Sequence, residues 1–260
     1  MRYALAPTQH HLLEQFARSR MLLALDYDGT LAPIVTDPER AAIPPSTRRL
    51  LRRVARAYPC VIISGRARVD VVRRVRGLGV LEVVGNHGIE PDNGPAPALP
   101  EVRRWVAAFE ERLGGLPGVM IEDKVLSIAV HYRRSREKAA ARARIVAVAA
   151  GLGAVRLVGG KQVLNVLPLG APHKGLALER VMARLGLETA VYVGDDDTDE
   201  DVFALGDPGR LLTIRVRRRR DSLAACYIRT QAEIDALLRR LLAFRPAPRV
   251  GRGEGPKALA

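Results

Sequence analysis

Residues 21–31, MLLALDYDGTL, set five apolar residues directly before two aspartates two positions apart, followed by Gly29 and Thr30. An unbroken apolar run of that length, closed by polar residues, reads as a strand buried on both faces, as parallel sheets require. Asp26 and Asp28 then stand at its carboxyl end. Residues 190–200, AVYVGDDDTDE, repeat the arrangement, so two strand ends deliver carboxylates to loops. Clustered carboxylates repel one another unless a cation sits among them, and an all-oxygen ligand set suits a hard ion. The pattern points to Mg²⁺.

Working outward, periodicity predicts a helix over 8–19, the strand 21–25, a helix over 46–57, a strand over 60–64, a helix over 67–76 and a strand over 80–84. Strands alternating with helices imply right-handed crossovers and a doubly wound, Rossmann-like parallel sheet. Residues 90–99, EPDNGPAPAL, are dense in Pro and Gly and mark a hinge. Beyond it come a helix over 100–113, strands over 119–122 and 127–132, a helix over 135–150, and strands over 155–158 and 163–167. Strands joined by tight turns such as GGK predict an antiparallel sheet, hence a separate α+β unit. A second hinge, PLGAP at 168–172, precedes a helix over 174–185, strands over 190–193, 211–216 and 226–228, and a closing helix over 231–243. The expected organisation is an α/β core over 1–92 and 169–244, an inserted α+β cap over 93–168 and a disordered tail over 245–260.

The 260 residues are 48% apolar but only 4% aromatic, so aliphatic side chains must fill the core. No run reaches the roughly eighteen apolar residues of a membrane span, since 139–158 is broken by Arg142, Arg144 and Arg156. The opening MRYALAPTQHHLLEQF lacks the apolar segment of a secretion signal. A cytoplasmic protein without a membrane partner is expected. Cys60 and Cys226, each among apolar or small neighbours, read as buried thiols.

The net charge of +14 and the run Arg215, Arg217, Arg218, Arg219, Arg220 raise nucleic-acid binding, which would show as salt-sensitive retention. Most arginines instead scatter along predicted helices, as in STRRLLRRVARA, without interleaved aromatics to stack on bases. They read as solvated faces, and no nucleic-acid partner is expected. Only Lys124, Lys138, Lys161, Lys174 and Lys257 are lysines among 42 basic residues. Three of them, Lys124, Lys161 and Lys174, fall in motifs, where a compact ammonium does what a planar guanidinium does not.

Ligands of open parallel sheets gather at the carboxyl ends of the strands. This chain places its unusual polar residues there: Asp26 and Asp28, Ser64 and Arg66, Asn86 and His87, and Asp195 to Asp199. Any one of these reads equally as a cap or turn residue, so the agreement of four strand ends carries the argument. Magnesium takes few protein oxygens and leaves room for a substrate phosphate, which Ser64 would meet by a hydrogen bond and Lys174 by charge.

DYDGT at 26–30, Ser64 within SGR, Lys174 and GDD at 194–196 resemble, in order and spacing, the four signatures of the haloacid dehalogenase (HAD) superfamily of phosphotransferases. Within it, LALDYDGTL, IISGR, GNHGIE, EDKVLSIAVHYR, GKQV, HKGLAL and VGDDDTDEDVF resemble the trehalose-phosphatase family, over roughly residues 22–203. The resemblance implies a HAD core with an inserted cap and Mg²⁺-dependent hydrolysis of trehalose 6-phosphate through an aspartyl-phosphate. It implies Asp26 as nucleophile, and Asp28 as the acid that protonates the departing sugar oxygen and then the base that activates water. Asp195 and Asp26, with the backbone carbonyl of Asp28, would hold Mg²⁺, with Asp196 in or near its coordination shell and Asp199 behind it. Ser64 and Lys174 would bind the phosphoryl oxygens, with Gly65 beside them and the backbone amides of Gly29 and Thr30 on the same group. The cap would bring Lys124, His131, Lys161 and Asn165 to the sugar while Arg66, Asn86 and His87 approach from the core. His131 reads equally well as an ordinary sheet residue. Asp197, Glu200 and Asp201 read as acids opening a helix, where they suit its dipole.

One departure bears on specificity. Where the family usually writes VxE(I/V)(R/K)P, this chain has VLNVLP, with Asn165 and Leu167. An acceptor of sugar hydroxyls becomes an amide and a cation becomes an alkyl group, which touches the sugar and leaves the phosphate chemistry alone. The expected activity is a monomeric phosphatase acting on trehalose 6-phosphate, with another sugar phosphate as the alternative. A receiver-like signalling module shares the doubly wound sheet and acidic strand ends, but such modules lack an inserted cap and an acid two residues beyond the nucleophile.

Overall fold

The protein, described by a computed structural model over residues 1–91 and 99–245, builds two sheets. First come β1 (Arg2–Tyr3), α1 (His10–Arg18), β2 (Met21–Leu25), α2 (Pro45–Ala57), β3 (Cys60–Ile63), α3 (Arg68–Val75) and β4 (Glu82–Val84). There follow α4 (Leu99–Leu113), β5 (Met120–Asp123), β6 (Ile128–His131), α5 (Lys138–Ala150), β7 (Val155–Gly160) and β8 (Val163–Pro168). The chain returns through α6 (Lys174–Leu185), β9 (Thr189–Gly194), α7 (Glu200–Phe203), β10 (Leu211–Val216), β11 (Cys226–Ile228) and α8 (Ile234–Phe244).

The larger sheet has the order β1-β11-β10-β9-β2-β3-β4, with every pair parallel. β2 shows why an apolar run rather than an alternating one was required. Met21, Leu23 and Leu25 pack with α1, α2 and α8, while Leu22 and Ala24 pack with α6 and α7, so both faces are buried. From β2 the chain winds outward one way to β3 and β4, and from β9 the other way to β10 and β11. The switch between these directions lies between β2 and β9, where such sheets open a crevice at their carboxyl ends. Leu25 is in register with Val193, so Asp26 and Asp195 leave the sheet as neighbours.

Residues 99–168 form the smaller, antiparallel sheet, ordered β5-β6-β8-β7. α4 and α5 cover one face, packing Trp105, Phe109, Ile145 and Val148 against Ile128, Val130, Leu164 and Val166. Alternation then sends Met120, Glu122, His131 and Asn165 to the opposite face, which no helix covers among the described residues and which turns toward the carboxyl end of the larger sheet.

The doubly wound sheet and the α+β insertion both match the sequence expectation. Two details differ. The helices expected over 8–19 and 231–243 each begin as a 3-10 turn, at Pro7–Gln9 and Gln231–Glu233. The two-residue strand Arg2–Tyr3, on the edge beside β11, carries no period that a sequence reading could use. Most of the hinge expected over 90–99, and the tail beyond residue 245, lie outside the described residues. Among the described residues no helix is long and apolar enough to cross a membrane.

Candidate active site

Asp26 follows β2 directly, and its amide still pairs with the Val193 carbonyl at 2.9 Å, so its position is set by the sheet. Lys174, the first residue of α6, is buried and donates to Asp26 Oδ1 at 2.8 Å and to Asp199 Oδ1 at 2.7 Å. Asp199 receives four donors: Lys174, the Tyr192 hydroxyl at 2.6 Å, and the amides of Asp195 and Asp196 at 2.7 and 2.8 Å. The carboxylates of Asp26, Asp195 and Asp199 all present an oxygen within 4.8 Å of one another, and all three residues are buried.

Burial sets the electrostatics here. It pushes the Asp26 carboxyl well above the usual range; Lys174 opposes this, and the charges of Asp199 and Asp195 reinforce it. Burial likewise raises Asp195 against the pull of Lys161, and raises Asp196 to about 6 with help from Asp195. For Asp199 burial is outweighed by Lys174 and by its hydrogen bonds, which hold it below the usual value. Burial also opposes the Lys174 charge, but Asp199 and Asp26 overcome it and hold the ammonium firmly protonated. Asp26 and Asp195 thus resist ionising chiefly because they are buried, beside an Asp199 saturated with donors, and a cation among them would favour their charged forms.

Beside this centre lies a cavity of about 520 Å³, walled by the larger sheet's loops on one side and the open face of the antiparallel sheet on the other. Asp28, Gly65, Arg66, His87, Lys124, His131, Lys161 and Asn165, singled out from sequence, line it together with Asp26, Lys174, Asp195 and Asp196. Arg66 holds both oxygens of Asp28, donating from Nε at 2.6 Å and from Nη2 at 2.8 Å, and reaches Asp70 from Nη1 at 2.9 Å. Lys124 donates to the Gly65 carbonyl at 2.9 Å and to Asn165 Oδ1 at 3.2 Å, and burial lowers its pKa. His87 is buried, and burial first, then Lys124 and Lys174, hold its imidazole well below the ordinary value, so it is neutral at pH 7.

Several residues sit elsewhere than the sequence reading expects. Asp196 stands outside the three-carboxylate group and caps the turn Asp197–Asp199 by accepting the Asp197 amide; Asp28, expected at the cation through its backbone carbonyl, has its carboxylate taken by Arg66. Asp199, expected behind the site, is within the group, although its four donors leave it a scaffold. The Gly29 amide donates to the Ala32 carbonyl at 2.7 Å and so is not free for a phosphoryl oxygen. Its φ of 79° and the Asp195 carboxylate, which occupies the place of a Cβ, both require glycine there. Thr30 is fully buried, and its carbonyl accepts from Gln231. Ser64 is buried behind the wall, its Oγ accepting from the Arg66 amide at 3.2 Å.

Asn86 does not face the cavity. It donates to Glu90 and to the Lys124 carbonyl and accepts from Ser127, joining a core loop to the antiparallel unit. Lys161 pairs with the Asp195 carboxylate, which Arg217 also reaches at 3.2 Å. His131 hydrogen-bonds Glu122 at 2.7 Å.

A family model for trehalose-phosphatase matches residues 24–222. The chain belongs to the trehalose-phosphatase family. It is 36% identical over 213 residues to the trehalose-phosphate phosphatase of Mycolicibacterium paratuberculosis, covering 75% of this chain and 54% of that protein. It is 32% identical over 252 residues to trehalose-phosphate phosphatase B of Arabidopsis thaliana, covering 87% of this chain and 67% of that protein. The C-terminal domain of Candida albicans trehalose-6-phosphate phosphatase superposes with a TM-score of 0.78 at 21% identity, over 94% of this chain and 98% of that one, a likeness of fold. Like the rest of its family the chain is a phosphoric monoester hydrolase, built on the HAD fold.

For a trehalose-phosphatase, the sequence reading left out part of the cavity's polar lining, Glu122, Arg133 and Thr198 among it. Glu122 had a legible signal, since it stands two positions from Lys124 next to an extended segment, hence on the same face. Arg133 had none. Its guanidinium bridges the Val35 carbonyl at 2.6 Å and the Lys161 carbonyl at 3.0 Å, two partners fixed only by folding.

Proposed function

We propose that this enzyme hydrolyses trehalose 6-phosphate to trehalose and phosphate, with Mg²⁺ as cofactor and an aspartyl-phosphate intermediate on Asp26. The observation that carries the reading is the convergence of Asp26, Lys174 and Asp195 at one switch point, facing a cavity large enough for a sugar phosphate. The donor set fits the cofactor: buried, oxygen-only carboxylates whose mutual repulsion favours a hard cation. Asp26 and Asp195 would hold it, and it would supply charge neutralisation of the phosphoryl group.

Asp26 attacks phosphorus in line and the P–O bond to the sugar breaks. Asp28, on the strand end two residues on, gives the departing oxygen its proton; it then takes a proton from the water that cleaves the aspartyl-phosphate. Arg66 holds the Asp28 carboxylate in one orientation throughout. Lys174 supports the phosphoryl charge and, through its hydrogen bond to Asp26, opposes the burial that disfavours the Asp26 carboxylate. Residues 93–168 act as the cap, presenting Lys124, Glu122, His131 and Asn165 to the sugar and excluding water before the sugar leaves. The enzyme works as a monomer in the cytoplasm; the buried free thiols Cys60 and Cys226 suit the reducing compartment of that reading.

Phosphate release with Mg²⁺ from trehalose 6-phosphate, glucose 6-phosphate, sucrose 6-phosphate and an aryl phosphate tests the reading. Preference for trehalose 6-phosphate is expected. Turnover of another sugar phosphate in its place would keep Asp26 and Asp28 in their roles and assign Asn165 to a different sugar; Leu167 packs in an apolar cluster with Ile89 and Ala171, away from the cavity lining.

A further inference from the structure

Three members of the arginine run that looks like a nucleic-acid patch in the sequence, Arg215, Arg217 and Arg219, find partners in the acidic loop after β9. Arg215, the last residue but one of β10, is in register with Gly194, and its side chain is only 6% exposed. Its Nη2 donates to the Asp195 carbonyl at 2.8 Å; its Nη1 donates to the Asp196 carbonyl at 3.1 Å and to Glu200 Oε1 at 2.7 Å. The amides of the same two aspartates donate to Asp199. The backbone of Asp195 and Asp196 is thus pinned on the N–H side by a carboxylate and on the C=O side by a guanidinium. Glu200 is steadied in turn by the Leu223 amide at 2.9 Å. Arg217 and Lys161 differ in kind, because they touch the Asp195 side chain itself.

We propose that Arg215 is a positioning residue for the cation site, fixing the direction of the Asp195 carboxylate by clamping its peptide and the next. The inference rests on the metal reading above. A planar fork spans two carbonyls and a carboxylate at once, whereas a lysine ammonium at this position meets them as a single point. Partners that orient a metal ligand typically change metal affinity by about 10- to 100-fold when removed.

The test is calorimetric titration of Mg²⁺ into the full chain without substrate, with phosphate release against Mg²⁺ in parallel. In Arg215→Met, Mg²⁺ affinity falls about tenfold or more, while KM for the sugar phosphate at saturating Mg²⁺ stays at the wild-type value. Arg215→Lys falls between. Should Arg215→Met fold poorly, Glu200→Gln loosens the same clamp from its outer end and shifts Mg²⁺ affinity in the same direction. Folded variants that bind Mg²⁺ as tightly as wild type, with only a lowered melting temperature, overturn the proposal. Wild-type protein that binds no Mg²⁺ overturns the metal reading itself, a result distinct from the first.

Discussion

Lys174 and Asp199 show how a buried charge becomes tolerable. An ammonium out of water costs several kcal/mol unless it is paired and hydrogen-bonded, and Lys174 has carboxylates on two sides. Asp26→Asn leaves the Asp199 pair in place, so the variant is expected to fold while turnover drops by roughly a thousandfold or more. Near-wild-type phosphate release from a cooperatively melting Asp26→Asn protein would sink the nucleophile assignment. Asp70 offers a prediction on pH. Burial pushes its carboxyl up, but hydrogen bonds from Arg74, Arg73 and Arg66 outweigh this and hold it below the usual value. A depressed folded-state pKa adds stability that is present above the ordinary carboxylate value of about 4 and fades as pH falls through the folded one. The difference in unfolding free energy between wild type and Asp70→Asn therefore shrinks between pH 7 and pH 3; a constant difference would show that these contacts do not depend on the Asp70 charge.

At the scale of elements, the end of β9 carries the narrowest tolerance. A Cβ on Gly194 would stand inside the Asp199 carboxyl, so the strand can approach the acidic loop closely only through glycine. Gly194→Ala must push Asp199 off its four donors or bend the strand end, at a cost of about 1–3 kcal/mol. Activity is expected to fall at least tenfold through displaced Asp195 and Asp196 amides, read as kcat with the melting temperature measured alongside; full kcat in that variant would mean that Asp199 does not organise the loop. β5, β6 and β8 show the opposite economy. One face packs on α4 and α5, which leaves the other free to present Glu122, His131 and Asn165 without disturbing the small core beneath.

Across the whole molecule, the two sheets meet through polar bonds around the cavity and through an apolar cluster of Ile89, Leu126, Val158, Leu167 and Ala171. Asn86 ties to Ser127 and to the Lys124 carbonyl, Lys124 to the Gly65 carbonyl, Lys161 to Asp195, and Arg133 to Val35 across the gap. Arg133 holds the Val35 loop and the turn carrying Lys161 with one side chain. Removing charged hydrogen bonds of this kind costs about 1.5–3 kcal/mol. Arg133→Ala is expected to raise KM roughly tenfold or more, with a smaller change in kcat, because it loosens the cavity wall and leaves Asp26 and Lys174 untouched. An unchanged KM would show that the bridge does not shape the cavity.

How much of this was legible beforehand follows from what each kind of signal encodes. Apolar runs and their polar ends report local burial and chain direction, so residues 21–31 alone announced a doubly covered strand delivering carboxylates, and 190–200 announced its neighbour. The parallel core, the antiparallel insertion, and the cavity placement of Asp26, Lys124, Lys174 and Asp195 followed from such signals and from motif resemblance. Partner choice did not. Lys174 meets Asp26 across 148 positions of chain, Arg66 meets Asp28 across 38, and Arg215 meets Asp195 across 20. Which of Asp196 and Asp199 enters the carboxylate group, that Asn86 is spent on holding a loop, and that an arginine run serves as a clamp were decided by strand register and packing. A side chain's partners depend on atoms that only folding brings within about 3 Å, and no local period in the sequence records them.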